Sequence, residues 1–115
     1  MSECIFCKIA KGEIPATILY KDDKVVAFKD INPEAPNHLL VIPKKHIQSI
    51  AHASVEDTEE IIPQIFKTIQ QLAEELGLKE KGFRIVNNCG NQGGQTVDHL
   101  HFHLLGGRQM TWPPG

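Results

Sequence analysis

Between positions 99 and 105 the chain reads His-Leu-His-Phe-His-Leu-Leu, with an imidazole at every second position of the first five and large apolar side chains between. A period of two is what a β-strand imposes when its two faces meet different surroundings. Leu100, Phe102 and Leu104 are expected to enter a core. His99, His101 and His103 are expected to share the other face, each roughly 6.6–7 Å from the next. One histidine on an apolar face is ordinary packing with a satisfied hydrogen bond; three in register point to chemistry. Two chemistries suit them. Neutral imidazoles ligate metals, or one imidazole is a nucleophile or general base while its neighbours orient it and bind charge.

The residues just upstream favour phosphate chemistry. Asn87 through Thr96 form a turn rich in glycine and amides (Asn-Asn-Cys-Gly-Asn-Gln-Gly-Gly-Gln-Thr) that feeds the histidines directly. Glycines let backbone N–H groups approach an anion closely, and Gln95 and Thr96 add neutral donors. The turn alone would be a plain hairpin loop; set against three histidines, it reads as a phosphate cradle. A second group of reactive side chains opens the chain. Cys4 and Cys7 stand at the C-x-x-C spacing of a zinc half-site, of a redox pair, or of two small buried residues. A thioredoxin-like pair needs a preceding strand, and only three residues precede Cys4, which counts against the redox reading. His46 and His52 are further imidazoles not required by phosphate chemistry.

These groups need elements to hold them. Ile5, Phe6, Ile9 and Ala10 suit a short helical turn with one apolar side, ended by Gly12. Ile18–Tyr20 and Val25–Phe28 flank a charged turn and predict a hairpin. A loop with Pro33 and Pro36 follows, then a strand over His38–Pro43 that is apolar on both faces and therefore central. Ser54 is a good N-cap for one long helix, with acids in its first turns, a core stripe from Ile61 to Leu76, a kink at Pro63 and a stop at Gly77. Gly82–Asn87 predicts a fourth strand, and the histidine segment a fifth. The class is α+β: a mostly antiparallel five-stranded sheet with one long helix and a short N-terminal helix.

The 115 residues, 41% of them hydrophobic, form a single domain over 1–115 with one modest core. A formal charge of −2 gives no bulk attraction to nucleic acid or to an anionic membrane. No apolar run approaches the ~20 residues of a membrane span, and the N-terminus lacks a signal-peptide pattern, so the expected location is the cytosol. Three cysteines, an odd count, argue against a disulfide framework.

Taken together, these motifs resemble the histidine triad (HIT) superfamily. H-x-H-x-H followed by two apolar residues is its signature, and the likeness spans nearly the whole chain. Asp30-Ile31-Asn32-Pro33 through His38, Val41 to His46, Asn88, Gly93 to Thr96, and the tail Gly106-Gly107-Arg108-Gln109-Met110 with Trp112-Pro113-Pro114-Gly115 look like the Hint branch. In the branch of dinucleoside polyphosphate hydrolases a proline typically follows the triad; here Gly106 and Gly107 stand instead.

The resemblance implies a homodimer in which two sheets join into one of ten strands. It implies cleavage of the P–N bond of purine nucleoside 5′-phosphoramidates, conjugates of AMP or GMP. The implied catalytic set is His101 as nucleophile, His103 on the α-phosphate, His38 orienting His101, and Thr96. Asn88, Gly94, Gln95 and Thr96 would line the phosphate, Asp30 would take the ribose hydroxyls, and Phe28 and Ile31 would flank the base. Trp112 would reach the partner copy's site. Some relatives with this cysteine pair hold structural zinc; carried over, its ligands are Cys4, Cys7, His46 and His99. No divalent metal is expected in the chemistry, because the nearest acid, Asp98, turns to the opposite face from the histidines. The chain departs from the pattern at Thr111, where a histidine is common, and at Asp98, where an aromatic is common. The alternatives are a dinucleoside polyphosphate or nucleotidyl-sulfate hydrolase using the same nucleophile, and a nucleotide-binding or interaction module with incidental activity.

Overall fold

A computed structural model describes residues 4–115. Its sheet contains strands β1 (Ile18–Lys21), β2 (Val25–Lys29), β3 (Asn37–Pro43), β4 (Phe83–Val86) and β5 (Phe102–Gly106), in the order β1-β2-β3-β5-β4. Every pairing is antiparallel. The strand with apolar residues on both faces, β3, is the central one, and all of it beyond Asn37 is buried. The β1–β2 turn is closed by Asp22, whose carboxylate accepts from the backbone N–H groups of Lys24 and Val25 and from the Tyr20 hydroxyl. Burial alone would raise the Asp22 pKa, but these bonds and one from Gln64 outweigh it and hold the carboxyl below its usual range.

Register decides which side chains share a face. Phe28 lies opposite Leu40, and Leu40 opposite His103. Directly opposed residues in a ladder point to the same side, so Phe28, Leu40 and His103 line one face together. The alternate residues Ala27, Leu39, Val41, Phe102 and Leu104 fill the other, where Ile65, Ile69 and Leu72 of the long helix pack on them. The first face is covered by a short helix, α1 (Ile5–Ala10), through Phe6, Ile9 and Ala10 against Val26, Phe28, Leu40 and Ile42.

The expected single kinked helix is two helices, α2 (Val55–Glu60) and α3 (Ile62–Glu75). Pro63 sits in the first turn of α3, where its missing N–H costs nothing. In an unbroken helix that N–H would have bonded the preceding turn, so the ladder is interrupted there. Ser54 caps α2 as expected, and Asp57 reciprocates in a capping box. The same Asp57 receives the Lys45 ammonium at 2.7 Å, so Lys45 ties the end of β3 to the start of α2 instead of being simply solvated. The hydrogen bond from Lys45, backed by the Ser54 N–H, keeps the Asp57 carboxyl below its usual range. The fourth strand is shorter than the expected 82–87. The fifth begins only at Phe102, so His99 and His101 precede the ladder. Among the described residues, no helix is long and apolar enough to cross a membrane.

Candidate active site

The alternation of the triad survives even though the strand starts late. Leu100, Phe102 and Leu104 enter the core beneath α3, and the histidines lie on the α1 side. The Leu100 N–H donates to the Ile47 carbonyl, which fixes the segment ahead of the ladder. His99 is fully buried and His101 nearly so.

The hydrogen bonds assign each ring its tautomer. A backbone carbonyl only accepts, so His101, 2.7 Å from the His99 carbonyl through Nδ1, carries its proton there. That leaves Nε2 of His101 with a free lone pair. The Glu34 N–H donates to Nδ1 of His38, so the proton of neutral His38 is on Nε2. That Nε2–H points at Nδ1 of His103, 2.9 Å away, which makes the outer nitrogen of His103 a donor. Asp30 lies on the same group, with Oδ2 3.4 Å from His38 Nε2.

This corrects the resemblance in one respect. His38 orients His103, and the group that orients His101 is the main chain of His99, whose carbonyl is in turn fixed by the segment's own fold. The carboxylate beside the triad is Asp30, delivered by the β2–β3 loop, whereas Asp98 lies with Cys89 and His52 around a separate surface cleft.

A cavity of about 330 Å³ opens in front of these rings. His101, His103, Thr96, Asp30, Phe28 and Ile31 all line it. Ile5, Phe6 and Ile9 of α1 line it too. From the sequence these three read only as the apolar side of a short helix; nothing in their spacing separates a wall from a core. Ile31 is 90% exposed, a large apolar side chain at the cavity rim.

Asn88, Gly94 and Gln95 are not on the cavity wall. The Asn88 amide donates to the Gly93 carbonyl, and Gln95 accepts from the Gly90 N–H while donating to the carbonyls of Gln48 and Val97. Both side chains brace the turn that presents Thr96. Gly93 is required for the same reason: a Cβ there would lie 2.2 Å from the Cys89 carbonyl oxygen. Trp112 is 82% exposed at the end of a tail held to β4 by the Arg84 guanidinium, which donates to the Thr111 carbonyl, and it is not on this cavity.

Burial is the main reason that the His103 pKa falls to about 4; the neighbouring His101 and His38 push the same way and Asp30 opposes them. The ring is therefore neutral at physiological pH and keeps its donor. The sign for stability follows. An unfolded histidine takes up its proton near pH 6.5, so the contribution of His103 is complete above that and is lost as pH falls towards 4. A two-dimensional NMR titration should show the His103 ring unchanged down to pH 5. A midpoint near 6.5 would contradict the neutral donor.

Cys4, Cys7, His46 and His99 form a second cluster whose ligand atoms all lie within 4.8 Å of one another. His99 Nε2–H donates to the Pro43 carbonyl at 2.8 Å, which leaves Nδ1 bare and facing Cys4 Sγ at 3.3 Å and Cys7 Sγ at 3.5 Å. His46 Nδ1 is 3.3 Å from Cys7 Sγ. A tetrahedral ion with bonds of roughly 2.0–2.3 Å holds its ligands about 3.3–3.8 Å apart, so the donor set and spacing fit such an ion. The Pro43 carbonyl fixes the tautomer of His99 in which Nδ1 faces the sulfurs without a proton, the tautomer that an ion would need.

Comparison with known proteins gives the family and the fold. The family model described as HIT domain matches residues 11–110. A 14 kDa zinc-binding protein of Zea mays is 50% identical over 115 residues, covering 99% of this chain and 89% of its own. The crystal structure of a HIT family hydrolase from Legionella pneumophila superposes with a TM-score of 0.95 at 54% identity, over 98% of this chain and 100% of that one. A histidine triad nucleotide-binding protein from Candida albicans superposes at 0.79 with 36% identity, over 96% and 83%. The chain belongs to the HIT domain family. The cysteine pair lies outside the matched segment, at and within α1.

Proposed function

We propose that the protein is a nucleotide hydrolase that cleaves the P–N bond of purine nucleoside 5′-phosphoramidates through a nucleotidyl-histidine intermediate. The observation that carries this reading is the tautomer of His101: with Nδ1–H held by the His99 carbonyl, the lone pair of Nε2 is free on a ring that lines the cavity. An imidazole is a nucleophile only at its unprotonated nitrogen, so fixing the tautomer is the activation. The relatives named as HIT family hydrolase and histidine triad nucleotide-binding protein support the reaction class and the ligand class.

In this reading His101 Nε2 attacks the α-phosphorus and the P–N bond breaks. The amine leaves with its electron pair and takes one proton from water. The positive charge left on the His101 ring is offset by the His99 carbonyl at Nδ1. His103 donates its outer N–H to a phosphoryl oxygen, where negative charge accumulates in the transition state, and His38 holds it in that tautomer. A second water then attacks phosphorus, frees His101 and releases the nucleoside monophosphate. The proton that this water gives up equals the one taken by the amine, so acid and base balance over a turnover. Phe28 and Ile31 flank the base, Asp30 takes the ribose hydroxyls, and Thr96 meets the phosphate from the turn that Asn88 and Gln95 brace. A second copy adding to the edge strand β4, where Phe83 and Ile85 are exposed, makes the homodimer and brings Trp112 towards the partner copy's site.

Cys4, Cys7, His46 and His99 hold a zinc ion in this reading, a role supported by their spacing and by the name of the Zea mays relative. The ion would cross-link α1 to the sheet with no open coordination position. A kinetic panel tests the activity: adenosine and guanosine phosphoramidates with several amines should be turned over to AMP or GMP faster than diadenosine polyphosphates. Faster cleavage of the polyphosphates would move the protein to the other hydrolase branch. No turnover of either would leave a binding module.

A further inference from the structure

The short helix α1 takes part in both sites at once. Cys4 is its N-cap and Cys7 lies within it, and both sulfurs face His99. The residues between and after them, Ile5, Phe6 and Ile9, wall the cavity. Phe6 stands edge-on to His101 at 5.1 Å, to His99 at 5.9 Å and to Phe28 at 5.6 Å between ring centroids. His99 is the second shared part: its ring faces the sulfurs, while its carbonyl holds His101. A helix of six residues does not persist by itself, and α1 has no ladder bonds to the sheet. It is held by one apolar side and by the cysteine cluster. The cluster, together with that apolar contact, therefore sets the position of Phe6 and bears on the His99 main chain.

We propose that metal occupancy of the Cys4–Cys7–His46–His99 cluster and nucleotide occupancy of the cavity are coupled through α1, each tightening the other. With the sulfurs ligated, α1 is docked and the cavity wall is preformed, so a nucleotide does not have to order it. With the sulfurs free, part of the binding energy goes into ordering α1. This rests on the nucleotide and zinc readings above, and it adds a positioning role for Phe6, Cys4 and Cys7. Coupling of this kind is commonly about 5–150-fold and must be reciprocal.

The test uses the whole chain, zinc-loaded and as reduced apoprotein, with AMP titrated by calorimetry. Zinc affinity is measured against a chromophoric chelator with and without saturating AMP. The expected result is AMP binding about tenfold tighter in the zinc form, and zinc bound tighter by the same factor when AMP is present. Phe6→Leu keeps all four ligands; it should retain one equivalent of zinc while the coupling factor falls towards one. Should the apoprotein unfold, cobalt replaces zinc: AMP should then shift the visible cobalt bands of the native chain but not those of Phe6→Leu. Equal AMP affinity with and without zinc, or an unshifted cobalt spectrum at saturating AMP, overturns the coupling alone. A chain that binds no AMP in any metal state defeats the nucleotide reading, and one that binds no zinc defeats the metal reading; either removes this inference with it.

Discussion

Replacing His101 by alanine should lower the turnover of adenosine 5′-phosphoramidate by several powers of ten, on the order of the ~10⁶-fold seen when the nucleophile of an enzyme is deleted. The size follows from what is lost. In the proposed reaction the other groups around the cavity position the substrate and stabilise charge, but none is an imidazole whose protonated nitrogen is held by a main-chain carbonyl while the other nitrogen is free. His103 does not substitute, because its inner nitrogen accepts from His38 and its outer one carries the proton. His101→Asn keeps a polar side chain and should still bind AMP, since the rest of the cavity wall, Thr96 and His103 included, is untouched. The measurement is single-turnover kinetics with an alkaline quench, which preserves a P–N bond, looking for the phosphorus–histidine adduct in the wild-type chain and its absence in the variant. Retention of more than a tenth of wild-type turnover by His101→Ala would assign the chemistry to another group.

The second large effect concerns the cysteine cluster. Protein purified without chelator or affinity tag should carry one equivalent of zinc per chain by elemental analysis, and Cys7→Ser should carry much less. Structural zinc sites bind with apparent free energies of about 10–16 kcal/mol in small zinc modules. This chain has a core beneath α3 that does not depend on the metal, so only part of that energy is expected to appear as fold stability. A share of about 2–3 kcal/mol would lower the melting temperature by roughly 10 °C when a chelator strips the ion. The cluster sits between α1 and the end of β3, so α1 should lose protection first in hydrogen exchange. Zinc far below one equivalent, with a melting temperature indifferent to chelator, would leave Cys4 and Cys7 as small packing residues and His99 as a ring held by Pro43 alone.

Much of this molecule was legible before any coordinates. The alternation from His99 to Leu105 assigned faces correctly, because side-chain period in extended backbone is a local property. The unbroken apolar run of β3 marked it as central, since only a strand covered on both sides tolerates one. Ser54 and Gly77 marked helix ends through their own backbone chemistry, whereas Pro63, expected to kink one helix, starts a second. The spacing of Cys4 and Cys7, with His46 and His99 carried over from the family likeness, named the four residues that the structure brings together.

What local pattern does not contain is who meets whom across the fold. The partner of His38 depends on the antiparallel register of β3 and β5, which sets it beside His103 and leaves His101 to the His99 carbonyl. Asp30 reaches the triad only because the β2–β3 loop folds back over the same sheet face. Asn88 and Gln95, which the resemblance sets on the phosphate, have their amides engaged in closing the tight turn, because backbone groups in it need partners. The residue types at 99, 101 and 103 determined by themselves that imidazole chemistry would sit on one face of a strand end. Which nitrogen is free, which is held, and that one short helix walls the cavity while carrying the cysteines were decided only by tertiary packing, since a tautomer is set by the hydrogen-bond partner, and those partners lie up to 65 residues away in the chain.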